Sequence, residues 1–409
     1  MEKRKLWTGN FRILISASVL GAAGGIAGSY AMRFLVYEQT GSTLAAGILT
    51  ALGVVPQFFL PVLIAPIMDR MPRKPFLVGG DLISGILYLG AGCYLREYSF
   101  SYTGYLLFSL LLAAIGAIDS LAYNSIFPSV IPKGMEQRGY TVAGMLYPVM
   151  NLIIMPIAGL LIQHISVARI LMLQGVASIG AGLLENMIKI KEININQERN
   201  LSFKLWFSDF KDGFRYISKE KGLQSIYAYM AFTNGVAAGQ LPILVAHFST
   251  APGLNAAMYG FFAFAEFTGR SIAGFVRCHV TIPKEKRFRF VLMVYWVYEC
   301  MDAILLWLPY PWMLVNRGIC GFLGFNSATE RTIAVQSYIP EEMRARVNAF
   351  ETAIVSAAAS VMAILVGWIG EVFQPKATMS ITAMMCFAVC LLTVWKFRKD
   401  GARIYEMHS

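Results

Sequence analysis

Charge is scarce in this sequence. Lys, Arg, Asp and Glu make up only 14% of its 409 residues, against roughly a quarter in soluble domains. With 56% hydrophobic residues and a mean hydropathy of +0.56, the chain lacks the polar surface to coat a globule in water. Its six cysteines form no CxxC pair, so neither a disulfide framework nor a zinc site is supported. They read as small buried hydrophobes. No HExxH, GxSxG, paired-carboxylate or Walker A pattern occurs. An enzyme is therefore not expected, nor is a built-in ATP engine or any cofactor. Nucleic-acid binding would need an exposed aromatic and basic domain, and none is present.

Long uncharged runs take the place of charge. Residues 13–32, 43–68 and 377–395 carry no Asp, Glu, Lys, Arg or His, and each exceeds the roughly 18 residues that span a bilayer as helix. The basic start, Lys3-Arg4-Lys5, resembles a signal peptide. Its apolar run is too long for one, so it reads as a retained first span. Hydropathy and its breaks predict twelve spans, over 11–35, 43–68, 75–95, 100–127, 140–163, 168–188, 223–248, 255–277, 289–308, 312–336, 347–370 and 377–396. Lys and Arg crowd alternate loops, with Arg70, Arg73 and Lys74 after span 2 and Lys284, Lys286 and Arg287 after span 8. The facing loops carry only Arg33, Arg96, Arg169 and Lys376. The positive-inside bias predicts a cell-membrane protein with both termini cytoplasmic, and it assigns the net +11 to anionic headgroups.

The chain also repeats itself. Ser129, Ile131, Pro132, Met135, Arg138 and Gly159 recur 208 residues later as Ser337, Ile339, Pro340, Met343, Arg346 and Gly367. A same-direction repeat of hydrophobic halves predicts an all-α membrane protein of two parallel six-helix repeats, with a small-molecule site at the midplane. The expected divisions are an N-terminal half over 1–190, a linker over 191–222, a C-terminal half over 223–397 and a tail over 398–409. Within the linker, Phe203, Trp206, Phe207, Phe210, Phe214 and Ile217 recur at helical spacing opposite Lys204, Asp209, Lys211, Asp212 and Arg215. That pattern predicts an amphipathic helix lying in the cytoplasmic interface.

The loop after span 2 reads Ala65-Pro-Ile-Met-Asp69-Arg70-Met-Pro72-Arg73-Lys74. It resembles the G-x-x-x-D-R-x-G-R-[KR] signature of the major facilitator superfamily, with both glycines replaced, by Ala65 and Pro72. The resemblance implies the twelve-helix fold of that family and a cytoplasmic gate held by Asp69, Arg70, Arg73 and Lys74. The place 208 residues beyond Asp69 holds Arg277. Residues 35–42, 210–216 and 339–347 are similar to the macrolide-efflux and siderophore-export branch. Met155-Pro156-Ile-Ala-Gly159 keeps the proline and one glycine of the antiporter signature G-P-x-x-G-G, which implies export. Many relatives carry an acid after the glycine of span 1, whereas Gly21 is followed by Ala22. Any proton coupling must then reside elsewhere.

An ionisable side chain inside a span is costly unless paired or hydrated, so each marks a candidate site. Asp119 in span 4 is the candidate proton-coupling carboxyl; the alternative is a structural hydrogen bond. Glu266 and Arg270, four apart in span 8, form an internal ion pair or a reserve coupling site. Arg317 in span 10 attracts an anionic substrate group, neutralises a facing acid, or snorkels outward. Glu299 and Asp302 of span 9 are expected to pair with another span, and Glu185, Glu330 and Glu351 with gate or capping partners. Asn234 and Gln240 offer polar cavity contacts.

Three functions compete on these residues. The first is a proton-driven exporter of an amphipathic small molecule, monomeric in the bilayer and powered by an ion gradient. The second is an uptake symporter or facilitator of a polar nutrient, which requires a denser set of cavity hydrogen-bonding groups. The third is a non-transporting receptor or membrane enzyme, which requires a catalytic cluster or large soluble domain that the sequence lacks.

Overall fold

A computed structural model describes residues 6–68, 71–190, 203–277, 279–280 and 282–406. Among them are fourteen α-helices and no strand. Backbone polar groups in hydrocarbon must be satisfied internally, and uninterrupted helix does this within one segment. The helices are α1 Gly9–Thr40, α2 Thr43–Met68, α3 Lys74–Glu97, α4 Tyr102–Val130, α5 Glu136–His164, α6 Val167–Asn186 and α7 Phe203–Ile217. They continue as α8 Lys221–Thr250, α9 Ala256–Arg277, α10 Lys284–Ile304, α11 Tyr310–Tyr338, α12 Glu341–Val372, α13 Pro375–Cys390 and α14 Arg398–Glu406. All but α7 and α14 coincide with the twelve expected spans to within a few residues.

Among the described residues, nine helices are long and apolar enough to cross a membrane; α8, α9 and α11 fall short of that criterion. These three carry Asn234, Gln240, Glu266, Arg270, Arg317, Glu330 and Arg331. These residues lower the hydropathy of the three helices.

By contacts the chain forms two compact units. The first comprises Met1–Thr40, Leu52–Phe203 and Ala256–Gly260. The second comprises Gly41–Ala51, Lys204–Asn255 and Phe261–Ser409. In the first, α3 and α6 run against each other through glycines seven residues apart. A β-carbon at Gly85 would stand 2.8 Å from the Gly175 carbonyl, and one at Gly175 would stand 2.8 Å from the Gly85 carbonyl. Lipid provides no hydrophobic drive between helices, so close backbone approach at small residues supplies the attraction. Gly175→Leu is expected to wedge this pair apart, at the upper end of the about 1–3 kcal/mol that overpacking costs. Thermal unfolding of the purified protein measures it, and an unchanged midpoint would show that the glycines are incidental.

In the second unit, α7 and α14 lie on the helices rather than among them. Arg346 of α12 pairs with Asp212 of α7 at 3.5 Å, and Phe214 meets Phe350 with ring centroids 5.7 Å apart. The side chains of Phe203, Trp206, Phe207 and Phe210, on the expected apolar face of α7, lie outside the described ones. The expected tail is instead a docked helix, α14. Its Gly401 packs on Phe288, and its Ile404 and Tyr405 are buried with Leu223, Val291 and Val335.

Candidate functional site

The second unit encloses a cavity of about 320 Å³ whose wall is built mainly by α8, α10 and α11. From α8 come Tyr229, Thr233, Asn234 and Gln240, from α10 Tyr295, Tyr298, Glu299 and Asp302, and from α11 Arg317 and Arg331. Arg270 of α9 also reaches it.

Ion pairs organise one end of this space. The Arg317 guanidinium donates to Glu266 at 2.8 Å and to Asp302 at 3.1 Å, tying α11 to α9 and α10. Its face lies 5.5 Å from the centre of the Phe262 ring. Arg270 donates to Glu266 at 2.6 and 3.1 Å. Glu266 is therefore held between two guanidinium groups. This geometry keeps it charged and makes it a poor proton carrier.

Below that network the polar groups are less fully matched. The Tyr229 hydroxyl donates to Glu299 at 3.0 Å, and Glu299 is only 5% exposed. Among the described residues Glu299 has no ion-pair partner. Arg331 meets the Tyr295 hydroxyl at 3.5 Å. The rings of Tyr229 and Tyr295 pack together with centroids 4.5 Å apart.

The end of this unit where α9 gives way to α10 carries a separate charge group. Glu330, 1% exposed, forms ion pairs with Arg277 at 2.5 Å and Arg287 at 3.5 Å. Arg277 occupies the repeat position of Asp69, so the second half has base and acid exchanged relative to the loop signature of the first. Within that signature Asp69 and Arg70 lie outside the described residues. Arg73 precedes α3, and the Lys74 ammonium donates to the Asn186 carbonyl at 2.6 Å.

Asp119 belongs to the first unit, apart from the cavity just described. Its carboxyl lies over Gly80 of α3, where a β-carbon would stand 3.2 Å from Oδ1. Asp81, the next residue of α3, has its Cβ 3.2 Å from the position a β-carbon would take at Gly182 of α6. Glu185 follows three residues further along α6 and is 4% exposed. Asp81, Asp119 and Glu185 act on one another electrostatically. Asp119 Oδ1 and Glu185 Oε2 are buried with no hydrogen-bond partner among the described residues. Glu185, expected to pair with a basic loop, sits instead in a group of three acids. Asp81 went unremarked in the sequence, although an aspartate seven residues into an apolar span was signal enough.

Pro156 and Gly159 of α5 pack on the segment Ala256–Gly260 within the same unit. A β-carbon at Gly159 would stand 2.9 Å from the Ala256 carbonyl, and one at Gly260 would stand 2.6 Å from that of Met155. The Tyr30 hydroxyl also donates to the Ala256 carbonyl. The two residues kept from the antiporter signature thus serve a backbone-to-backbone approach that larger side chains would block.

No curated protein matches the chain in sequence. Among solved structures, the nucleoside transporter NupG shares the fold with a TM-score of 0.70 at 12% identity, covering 96% of this chain and 100% of that one. A bacterial homolog of the human lysosomal transporter Spinster, inward-facing and unoccupied, gives 0.65 at 15% identity over 97% and 93%. A POT family transporter in complex with 5-aminolevulinic acid gives 0.70 at 9% identity over 95% and 96%. The family model described as Major Facilitator Superfamily matches residues 13–298. With that match across more than half its length, and with a fold shared end to end with transporters, the chain belongs to the Major Facilitator Superfamily and is a multi-pass membrane transporter.

Proposed function

We propose that the protein is a proton-driven exporter of an amphipathic small molecule, working by alternating access in the cell membrane with both termini cytoplasmic. We place it with the macrolide-efflux and siderophore-export branch that its sequence resembles. The observation that carries this reading is a division of labour between the units. The second holds a cavity of small-molecule size, lined by tyrosines and charged groups. The first holds three mutually interacting carboxyls with no cation paired to them among the described residues. Protons are the ligand suited to such a group, and Asp119 is the member assigned the coupling role. The tight packing of Pro156 and Gly159 supports the antiporter reading, because the retained motif residues have a physical use. Asp69, Arg70, Arg73 and Lys74 are assigned the cytoplasmic gate of the first half, with Glu330, Arg277 and Arg287 its counterpart in the second.

A substrate screen on proteoliposomes with an imposed pH gradient tests this directly. Substrate should move opposite to the proton flow, and movement with the protons would replace export by symport. Uptake of a polar nutrient is the second reading. It is favoured by the cavity's hydrogen-bonding groups, Thr233, Asn234, Gln240 and Ser327 among them, a denser set than the sequence suggested. Orientation has its own test. Cysteines introduced at Ser101 and Lys376 should react with impermeant thiol reagents from outside intact cells, and those at Lys133 and Lys286 should not. The reverse pattern would invert the topology.

A further inference from the structure

The geometry points to a zwitterionic substrate in the cavity of the second unit, its ammonium on Glu299 and its anionic group on Arg331. This rests on the reading that this cavity is where the transported molecule binds.

A balance of charges leads there. The ionisable groups that line the cavity are Arg270, Glu299, Asp302, Arg317 and Arg331, with Glu266 just behind them. Arg317 is satisfied by Glu266 and Asp302, and Arg270 by Glu266. Those four groups sum to zero and hold one another. Two charges of opposite sign remain. Glu299 has a phenol hydroxyl and no cation within ion-pair distance among the described residues. Arg331 has a phenol oxygen at 3.5 Å, and the Glu351 carboxylate acts on it only from beyond ion-pair distance. Glu299 is buried and Arg331 partly buried, each meets neutral groups rather than an opposite charge, and a ligand that supplies that charge gains the difference.

Both groups line the same cavity. Glu299 and Tyr295 are one turn apart on α10, about 6 Å along the helix axis. Tyr229 holds the carboxylate and Tyr295 touches the guanidinium, while their rings pack together at 4.5 Å. The two charges are therefore displayed at neighbouring levels of a single aromatic wall. Val236, Leu244, Val294 and Phe325 add apolar lining, so the body of the molecule is greasy or aromatic. A singly charged amphiphile would satisfy one of the two groups and, by displacing water, leave the other worse off. A neutral one would do so to both.

Three probes of one skeleton separate these cases: L-tryptophan, the cation tryptamine and the anion indole-3-propionate. Each is titrated calorimetrically at neutral pH into the purified full-length protein. Tryptophan is expected to bind about tenfold more tightly than either relative, the gain from one charge-assisted contact. Arg331→Gln should erase its advantage over tryptamine, and Glu299→Gln its advantage over indole-3-propionate. Wild-type protein that binds tryptophan no more tightly than a singly charged relative would overturn the inference, and that comparison needs no variant to fold. Binding is read without a gradient, so a negative result leaves the export reading untouched, and failed export leaves the binding preference untouched.

Discussion

Asp119→Asn is expected to abolish accumulation of substrate against its gradient while substrate exchange without a gradient survives. The side chain keeps its shape and its place over Gly80, so packing of α3 on α4 should persist. What disappears is a proton that can come and go. Like charges repel more strongly where water is excluded, and Asp81, Asp119 and Glu185 act on one another with Glu185 buried. Tyr123 is the further titratable group acting on Glu185's surroundings, and Lys74 is engaged with the Asn186 carbonyl beside it. The group must either hold protons or spread apart. A cycle that alternates between those options couples proton binding to the packing of α3, α4 and α6. An amide at position 119 removes one of the three charges permanently and so removes that alternation. Accumulation measured in proteoliposomes with an imposed pH gradient should fall to the level of passive equilibration. If Asp119→Asn still concentrates substrate, the coupling group lies elsewhere or protons are not the driving ion. Glu266 is then a weak substitute, because two arginines already hold it.

Much of this architecture was legible in local sequence, and the parts that were not share a cause. Runs such as residues 43–68 declare themselves because a span must be apolar along its whole length. The amphipathic repeat of 203–217 declares α7 because one face must meet lipid headgroups. Both signals lie within one segment. The pairing of Arg317 with Glu266 and Asp302 joins three helices across 51 and 15 residues, and it depends on which way each helix is turned about its axis. Hydropathy says nothing about that rotation when polar residues are few. The same gap hid which residue Glu299 would meet: it was expected to pair with another span, and it takes a hydroxyl from Tyr229 of α8 at the cavity wall. Tail helix α14 was missed for the opposite reason. Only Ile404 and Tyr405 anchor its apolar side, too few residues to register as a period in a segment rich in Lys and Arg.

Arg317→Met should cost about 3–5 kcal/mol of stability, the penalty of leaving buried charge without its partner. Methionine preserves an unbranched stem that can still pack on Phe262, so the lost element is the guanidinium. Glu266 would retain Arg270, which is half exposed and sits on its own helix. Asp302 would retain no cation among the described residues: its side chain is 5% exposed, and Arg317 is its ion-pair partner. The helices α9, α10 and α11 would then lose the contact that sets their mutual rotation, and the cavity wall they build should loosen with them. Two readouts separate charge from shape. The thermal midpoint of purified Arg317→Met should drop clearly, and adding Asp302→Asn should restore most of it, because an amide no longer demands a cation. If Arg317→Met unfolds at the wild-type midpoint, the guanidinium is solvated rather than structural, and Arg317 becomes a group free to meet substrate.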